Sequence, residues 1–72
     1  MNFTAVYEPS SEGGYSCYVE EIPAAISEGE TLEEAEANLR EALQLVLDCQ
    51  RELAEQSRSP LSVKRSFQLA TA

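Results

Sequence analysis

Few side chains in this sequence could carry chemistry. Glu8 and Glu20 fall in two short alternating stretches that could lie side by side, and paired carboxylates are one acid–base arrangement open to a chain with no His. Cys17 and Cys49 are possible nucleophiles, but a thiol needs a base nearby and only carboxylates are on offer. The absence of His removes the imidazole base and every triad built on one. Glu12-Gly13-Gly14 is rich in glycine, yet neither a Lys nor a helix follows it, so it does not read as a phosphate loop. The two Cys lie far apart and have no His to join them, which fits neither a metal site nor a disulfide framework. Asp48, the single Asp, falls in the middle of a predicted helix. The simplest reading makes the carboxylates solvated surface groups and both Cys small buried apolar side chains. The chain is therefore read as a non-enzyme without cofactor or metal, with a hydrolase using Glu8 and Glu20 as the catalytic alternative.

The elements that must position these residues follow from periodicity. Residues 2–8 and 15–20 alternate in strand fashion. Phe3, Ala5 and Tyr7 share one side of the first, and Tyr15, Cys17 and Val19 one side of the second. Pro9 to Gly14 joins them as a hairpin loop, where Pro ends the first strand and Gly supplies positive φ. Pro23 breaks the second strand, and residues 24–28 read as a brief third one. Thr31 and Glu34 form a capping-box pair at the start of a helix over about residues 32–55. Its apolar stripe runs Leu32, Ala35, Leu39, Ala42, Leu43, Val46, Leu47, Cys49 and Leu53. Pro60 follows the helix end, and residues 62–70 alternate again as a fourth strand, with Arg65 on its apolar side marking an edge position. The predicted class is α+β, in ββ(β)αβ order. An antiparallel sheet of three to four strands carries one long helix on one face, in a single domain over residues 1–72. The other face of the sheet stays open, as a natural interface.

Charge narrows the function. The net charge is −8, and it is unevenly spread. Residues 1–30 hold six Glu and no base, a sum of −6. Residues 31–57 hold seven acids against Arg40 and Arg51, a sum of −5, and residues 58–72 hold only Arg58, Lys64 and Arg65, a sum of +3. An acidic body repels phosphate, so direct nucleic-acid binding is not expected and a basic partner is favoured. The plainer alternative is that acidity serves solubility. No apolar run is long enough for a membrane span, no secretory signal is visible, and unpaired Cys suit a reducing compartment, so a cytoplasmic location is expected. A chain this short builds a small core, and self-association as a homodimer or homotetramer would supplement it.

Gly13-Gly14-Tyr15, Tyr18-Val19, Glu21-Ile22-Pro23, the run Gly29 to Ala35 and Asn38-Leu39-Arg40-Glu41-Ala42 together resemble the HicB antitoxin family. The resemblance covers most of residues 3–50, with turn, Pro break, capping box and helix in the family's order. It implies a partial, degenerate ribonuclease H-like fold and a partner, a small basic HicA-type toxin that cleaves messenger RNA and is blocked by the antitoxin. Two departures matter. Pro23 is followed by Ala24 where the family usually has Gly, and over residues 1–72 the DNA-binding module many members carry is not expected. The first strand also lacks the Asp with which ribonucleases H hold their metal. The residues expected to touch a partner are Glu8, Glu12, Tyr15, Tyr18, Glu20 and Glu21, with the tyrosines as anchors. Either tyrosine could instead be core. The second reading is an orphan homo-oligomeric module with no toxin partner.

Overall fold

The computed structural model describes residues 2–69. Its elements, in chain order, are β1 (Ala5–Pro9), β2 (Tyr15–Val19), β3 (Ile22–Gly29) and α1 (Leu32–Gln56). The strands form one antiparallel sheet in the order β1-β2-β3, with the helix packed on one face: the α+β arrangement the periodicities predict.

Alternation sets the faces. In the first hairpin Ala5 lies opposite Val19 and Tyr7 opposite Cys17, so these side chains share the helix side. The connecting loop closes through Ser10 N–H donating to the Gly14 carbonyl at 3.0 Å and Gly13 N–H to the Ser10 carbonyl at 3.1 Å. Its reversal uses positive φ at Gly13 and Gly14, +99° and +76°. Pro9 is the last residue of β1 rather than the residue that stops it, since the end of an edge strand tolerates a missing donor.

β3 is longer than the sequence suggests, starting at Ile22 instead of residue 24. Val19 pairs with Ile22, but Tyr18 pairs with Ile26, so Pro23, Ala24 and Ala25 have no counterparts on β2. Pro23 sits within this irregularity, where its lack of an N–H breaks no regular ladder.

Thr31 caps α1, its side chain accepting from Glu34 N–H at 3.1 Å. Only this half of the capping box is formed among the described residues; Glu33 and Glu34 in the first turn also favour the positive end of the helix dipole. Arg40 and Glu36 pair across one turn at 3.5 Å, an exposed contact of the weak i,i+4 kind.

The helix approaches the sheet closely because the residues between them are small. The buried core is Cys17, Val19, Ala25, Ala35 and Leu39, flanked by Tyr7, Tyr15, Ile22, Leu43 and Val46. The Cys17 thiol donates to the Ala35 carbonyl at 3.5 Å, and Asn38 Nδ2 donates to the Glu28 carbonyl at 2.8 Å. Gly29 is the tightest point: a Cβ there would lie 2.8 Å from Ala35 Cα and 2.9 Å from the Glu34 carbonyl carbon. Those obstacles are backbone, which cannot rotate away.

Two expectations fail beyond Val46, for one reason. The helix has 25 residues, about 37 Å at 1.5 Å per residue, and outruns a sheet whose longest strand has eight. Its last turns have no sheet beneath them, so Leu53 is 66 % exposed and Cys49 is exposed rather than a buried apolar filler. The alternating stretch expected as a fourth strand is not one over residues 62–69, and residue 70 lies outside the described residues. Ser57 leaves the helix at the end of the overhang, away from both sheet edges. A turn with Ser62 N–H donating to the Ser59 carbonyl at 3.0 Å then lays the segment beside the helix end, where Lys64 Nζ is 3.9 Å from Glu55 Oε1. The radius of gyration is accordingly 15.9 Å, against about 11 Å for a compact chain of this length.

The close approach at Gly29 makes a direct prediction. Gly29→Ala adds one methyl against main-chain atoms and should destabilise the fold by about 2–3 kcal/mol, the upper range for overpacking. A urea midpoint within error of the wild type would show that the helix does not sit this close.

Candidate protein-binding surface

With Tyr15, Cys17 and Val19 turned to the helix, Ser16 and Tyr18 point to the opposite face of β2. The register carries that face across all three strands. Val6 lies opposite Tyr18, and Tyr18 opposite Ile26, so the three side chains form an apolar row across the uncovered sheet. Val6 and Tyr18 are half-buried by their neighbours, whereas Ile26 is 64 % exposed. The adjacent row is Glu8, Ser16 and Glu28. An apolar strip with a tyrosine at its centre and carboxylates along one side has the make-up of a protein contact: an apolar anchor with a charged rim.

The six residues expected at the interface do not form one patch. Glu8 and Tyr18 are on the open face together. Glu20 continues that face at the β2–β3 turn, where its N–H donates to the Thr4 carbonyl at 2.9 Å. Glu12 is exposed at the β1–β2 loop, beside an open polar cleft of about 590 Å³ that runs to Glu28, Glu34 and Asn38. Tyr15 lies on the helix side, half-buried against the core. Glu21 is exposed, but its carboxylate is engaged within the chain, with Thr4 N–H donating to Glu21 Oε1 at 2.7 Å.

Val6, Ile26 and Glu28 complete the open face and were not singled out from the sequence. Alternation places Val6 on the same side as Glu8. The positions of Ile26 and Glu28 depend on the three unpaired residues of β3, an irregularity that no periodicity reveals.

The catalytic alternative finds little geometry. Glu8 and Glu20 share a face, but Glu8 is opposite Ser16 while Glu20 is bonded to Thr4. Four strand residues separate those points, about 13 Å of backbone at 3.3 Å per residue, so the register does not set the two residues side by side. Burial pushes the Cys17 thiol above its ordinary range, with a smaller opposing effect from a Ser27 backbone hydrogen bond, which favours the unreactive protonated form. Among the described residues no group of three or more His, Cys, Asp or Glu could hold a metal ion, and no helix is long and apolar enough to cross a membrane.

The comparisons with known proteins point to one kind of relative. The chain is 42% identical over 45 residues to the UPF0150 protein ssl0738 of Synechocystis sp., a match covering 62% of this chain and 62% of that protein. No family model and no solved structure matches the chain.

The Thr4–Glu21 contact carries a pH prediction. The Thr4 backbone N–H, and then its side chain, hold the Glu21 carboxyl below its ordinary range. A folded-state pKa below the unfolded value of about 4.3 gives stabilisation that is complete above that value and fades as the pH falls through the folded value. Between about pH 5 and pH 3, the wild type should therefore lose more stability than Glu21→Gln, measured as the fall in urea midpoint. Parallel losses in the two proteins would mean that the clamp does not form.

Proposed function

We propose that this chain is an antitoxin-like binding protein of the HicB type, which neutralises a small basic HicA-type toxin in the cytoplasm by covering its active surface. The observation that carries the reading is the open face: an apolar row of Val6, Tyr18 and Ile26 beside Glu8 and Glu28, on a body of strongly negative charge. A toxin that grips RNA presents cationic groups, and carboxylates set on a sheet match such a surface in sign. Tyr18 and Ile26 would supply the desolvated centre of the contact, while Glu8, Glu20 and Glu28 would steer the approach. The UPF0150 relative, from a HicB-like, antitoxin-type family, supports the same reading. No catalysis by this chain is part of it.

The second reading is a homo-oligomeric regulatory or structural module without a toxin. Its support is the small core, five buried residues among those described, which leaves an isolated chain marginal.

The discriminating experiment is capture of partners from native lysate by the tagged protein, at low and then high salt. A small basic protein released as salt rises is the expected result; recovery of the chain only with itself favours the second reading. With the partner in hand, Glu8→Lys with Glu28→Lys should slow association about tenfold or more at low salt, and the difference should shrink at high salt. Ile26→Asp should act mainly on dissociation. Unchanged affinity in both variants would exclude the open face as the binding surface.

A further inference from the structure

We infer that the overhanging end of α1 is a dimer contact, in which the ridge Leu45, Cys49 and Leu53 of one chain crosses the same ridge of a second copy in antiparallel register. The inference rests on the self-association offered above as the second reading and names its surface. The helix and the open face lie on opposite sides of the sheet, so a dimer of this kind does not compete with a basic protein for that face.

Around and beyond Val46 the exposed apolar residues of the helix fall in one line. Leu45 is 65 % and Leu53 66 % exposed, and Cys49 between them is exposed as well. Positions four apart form a continuous ridge on a helix, and such ridges pack into each other's grooves with the axes about 50° apart. Leu45 stands about two turns after Asn38, whose side chain reaches the Glu28 carbonyl, so the ridge begins on the β3 flank of the helix. Leu53, about five turns after Ala35, ends it in line with the core but past the sheet. The ridge is also symmetrical about its middle residue. A twofold axis across the helix at Cys49 sets Leu45 of each copy against Leu53 of the other, so every exposed Leu of the ridge finds an apolar partner. A twofold interface requires this kind of self-match.

Charge selects the occupant. Residues 1–43 hold ten acids against Arg40, a sum of −9, whereas residues 44–58 hold Asp48, Glu52 and Glu55 against Arg51 and Arg58, a sum of −1. A basic protein is drawn to the first stretch, and a second acidic copy meets least repulsion at the second. The antiparallel register adds attraction. It sets Glu41 of each copy opposite Ser57 of the other, next to Arg58, and turns the arm with Lys64 and Arg65 towards Glu33, Glu34 and Glu36 of the other. A parallel pair would bring arm to arm and acidic half to acidic half.

The chain's own arm does not cover the ridge. Lys64 Nζ lies 3.9 Å from Glu55 Oε1, and Glu55 is six residues after Cys49, about 120° around the helix from it. With the arm on that side, both leucines remain largely exposed. Cys49 makes the distinction measurable, because a thiol meets its own counterpart only in another molecule. Two exposed leucines from each copy make a small contact, of the class below about 1,200 Å², so the dimer is expected to be micromolar rather than nanomolar.

Sedimentation equilibrium of the full chain under reducing conditions, from low to high micromolar, should show a monomer–dimer equilibrium. Leu45→Asp and Leu53→Asp should each raise its dissociation constant at least about tenfold, with the circular dichroism unchanged because both side chains are exposed. Cross-linking reads the register. Under mild oxidation, a chain with Leu45→Cys and Cys49→Ser, mixed with one carrying Leu53→Cys and Cys49→Ser, should yield the mixed covalent dimer, and neither chain alone should yield a comparable amount. Cys49→Ser by itself should give none, since Cys17 is buried. A monomer throughout the concentration range overturns the inference, as does a dimer indifferent to both Asp substitutions, which would use another face. Cross-links that favour like positions overturn the antiparallel register. A monomer that still captures a small basic protein overturns the dimer and leaves the toxin-binding reading intact; a dimer that captures none upholds the inference and favours the second reading.

Discussion

The structure depends on the near-contact between Gly29 at the end of β3 and the first turn of α1 at Ala35. With a hydrogen for a side chain at one position and a methyl at the other, the helix axis lies close enough for Cys17 to reach the Ala35 carbonyl and for Asn38 to reach the Glu28 carbonyl. Ala25 and Ala35 are then fully buried, and Leu39 closes the core beside them. Gly14 is part of the same crowding: a Cβ there would stand 2.7 Å from the Gly29 carbonyl oxygen. Three short residues thus bring loop, strand end and helix start together, and everything else is positioned from that corner.

Small residues at the corner make a thin core. A helix held this close to β2 and β3 leaves β1 only partly covered, and a helix longer than the sheet leaves its final turns unsupported. Among the described residues nothing covers the opposite sheet face. A fold this size offers its surroundings two kinds of incomplete surface: an apolar row beside carboxylates on the open face, and an uncovered edge with a groove at β1. The first has the apolar strip and charged rim of a protein contact. The second suits a strand, because an unpaired ladder edge is satisfied only by another backbone.

The acidic body gives both surfaces a common electrostatic setting. Most of the carboxylates are solvated and exchange little energy with the fold, as the exposed Glu36–Arg40 pair illustrates. Glu21 is the exception, tied to the Thr4 N–H, so that a side chain joins the Glu20 backbone in holding the N-terminal end of β1. This exposed carboxylate thus also anchors a strand.

What the sequence by itself determined was local. The capping pair at Thr31 and Glu34 and the three-and-four stripe through Leu39 and Val46 set the helix almost to the residue, because cap and amphipathic spacing are properties of neighbouring side chains. Alternation around Tyr7 and Cys17 likewise set the first hairpin and the two faces of its strands. The tertiary structure decided what depends on lengths and offsets between elements. The three unpaired residues at Pro23 to Ala25 fixed the register that aligns Ile26 with Tyr18, and Tyr15 was sorted from Tyr18 by which face the helix covers. The overhang of the helix turned Cys49 outward and carried the alternating segment at residues 62–69 away from the sheet. Alternation shows that a stretch can be a strand, but a strand also needs an edge within reach, and reach is set by the rigid length of the helix before it.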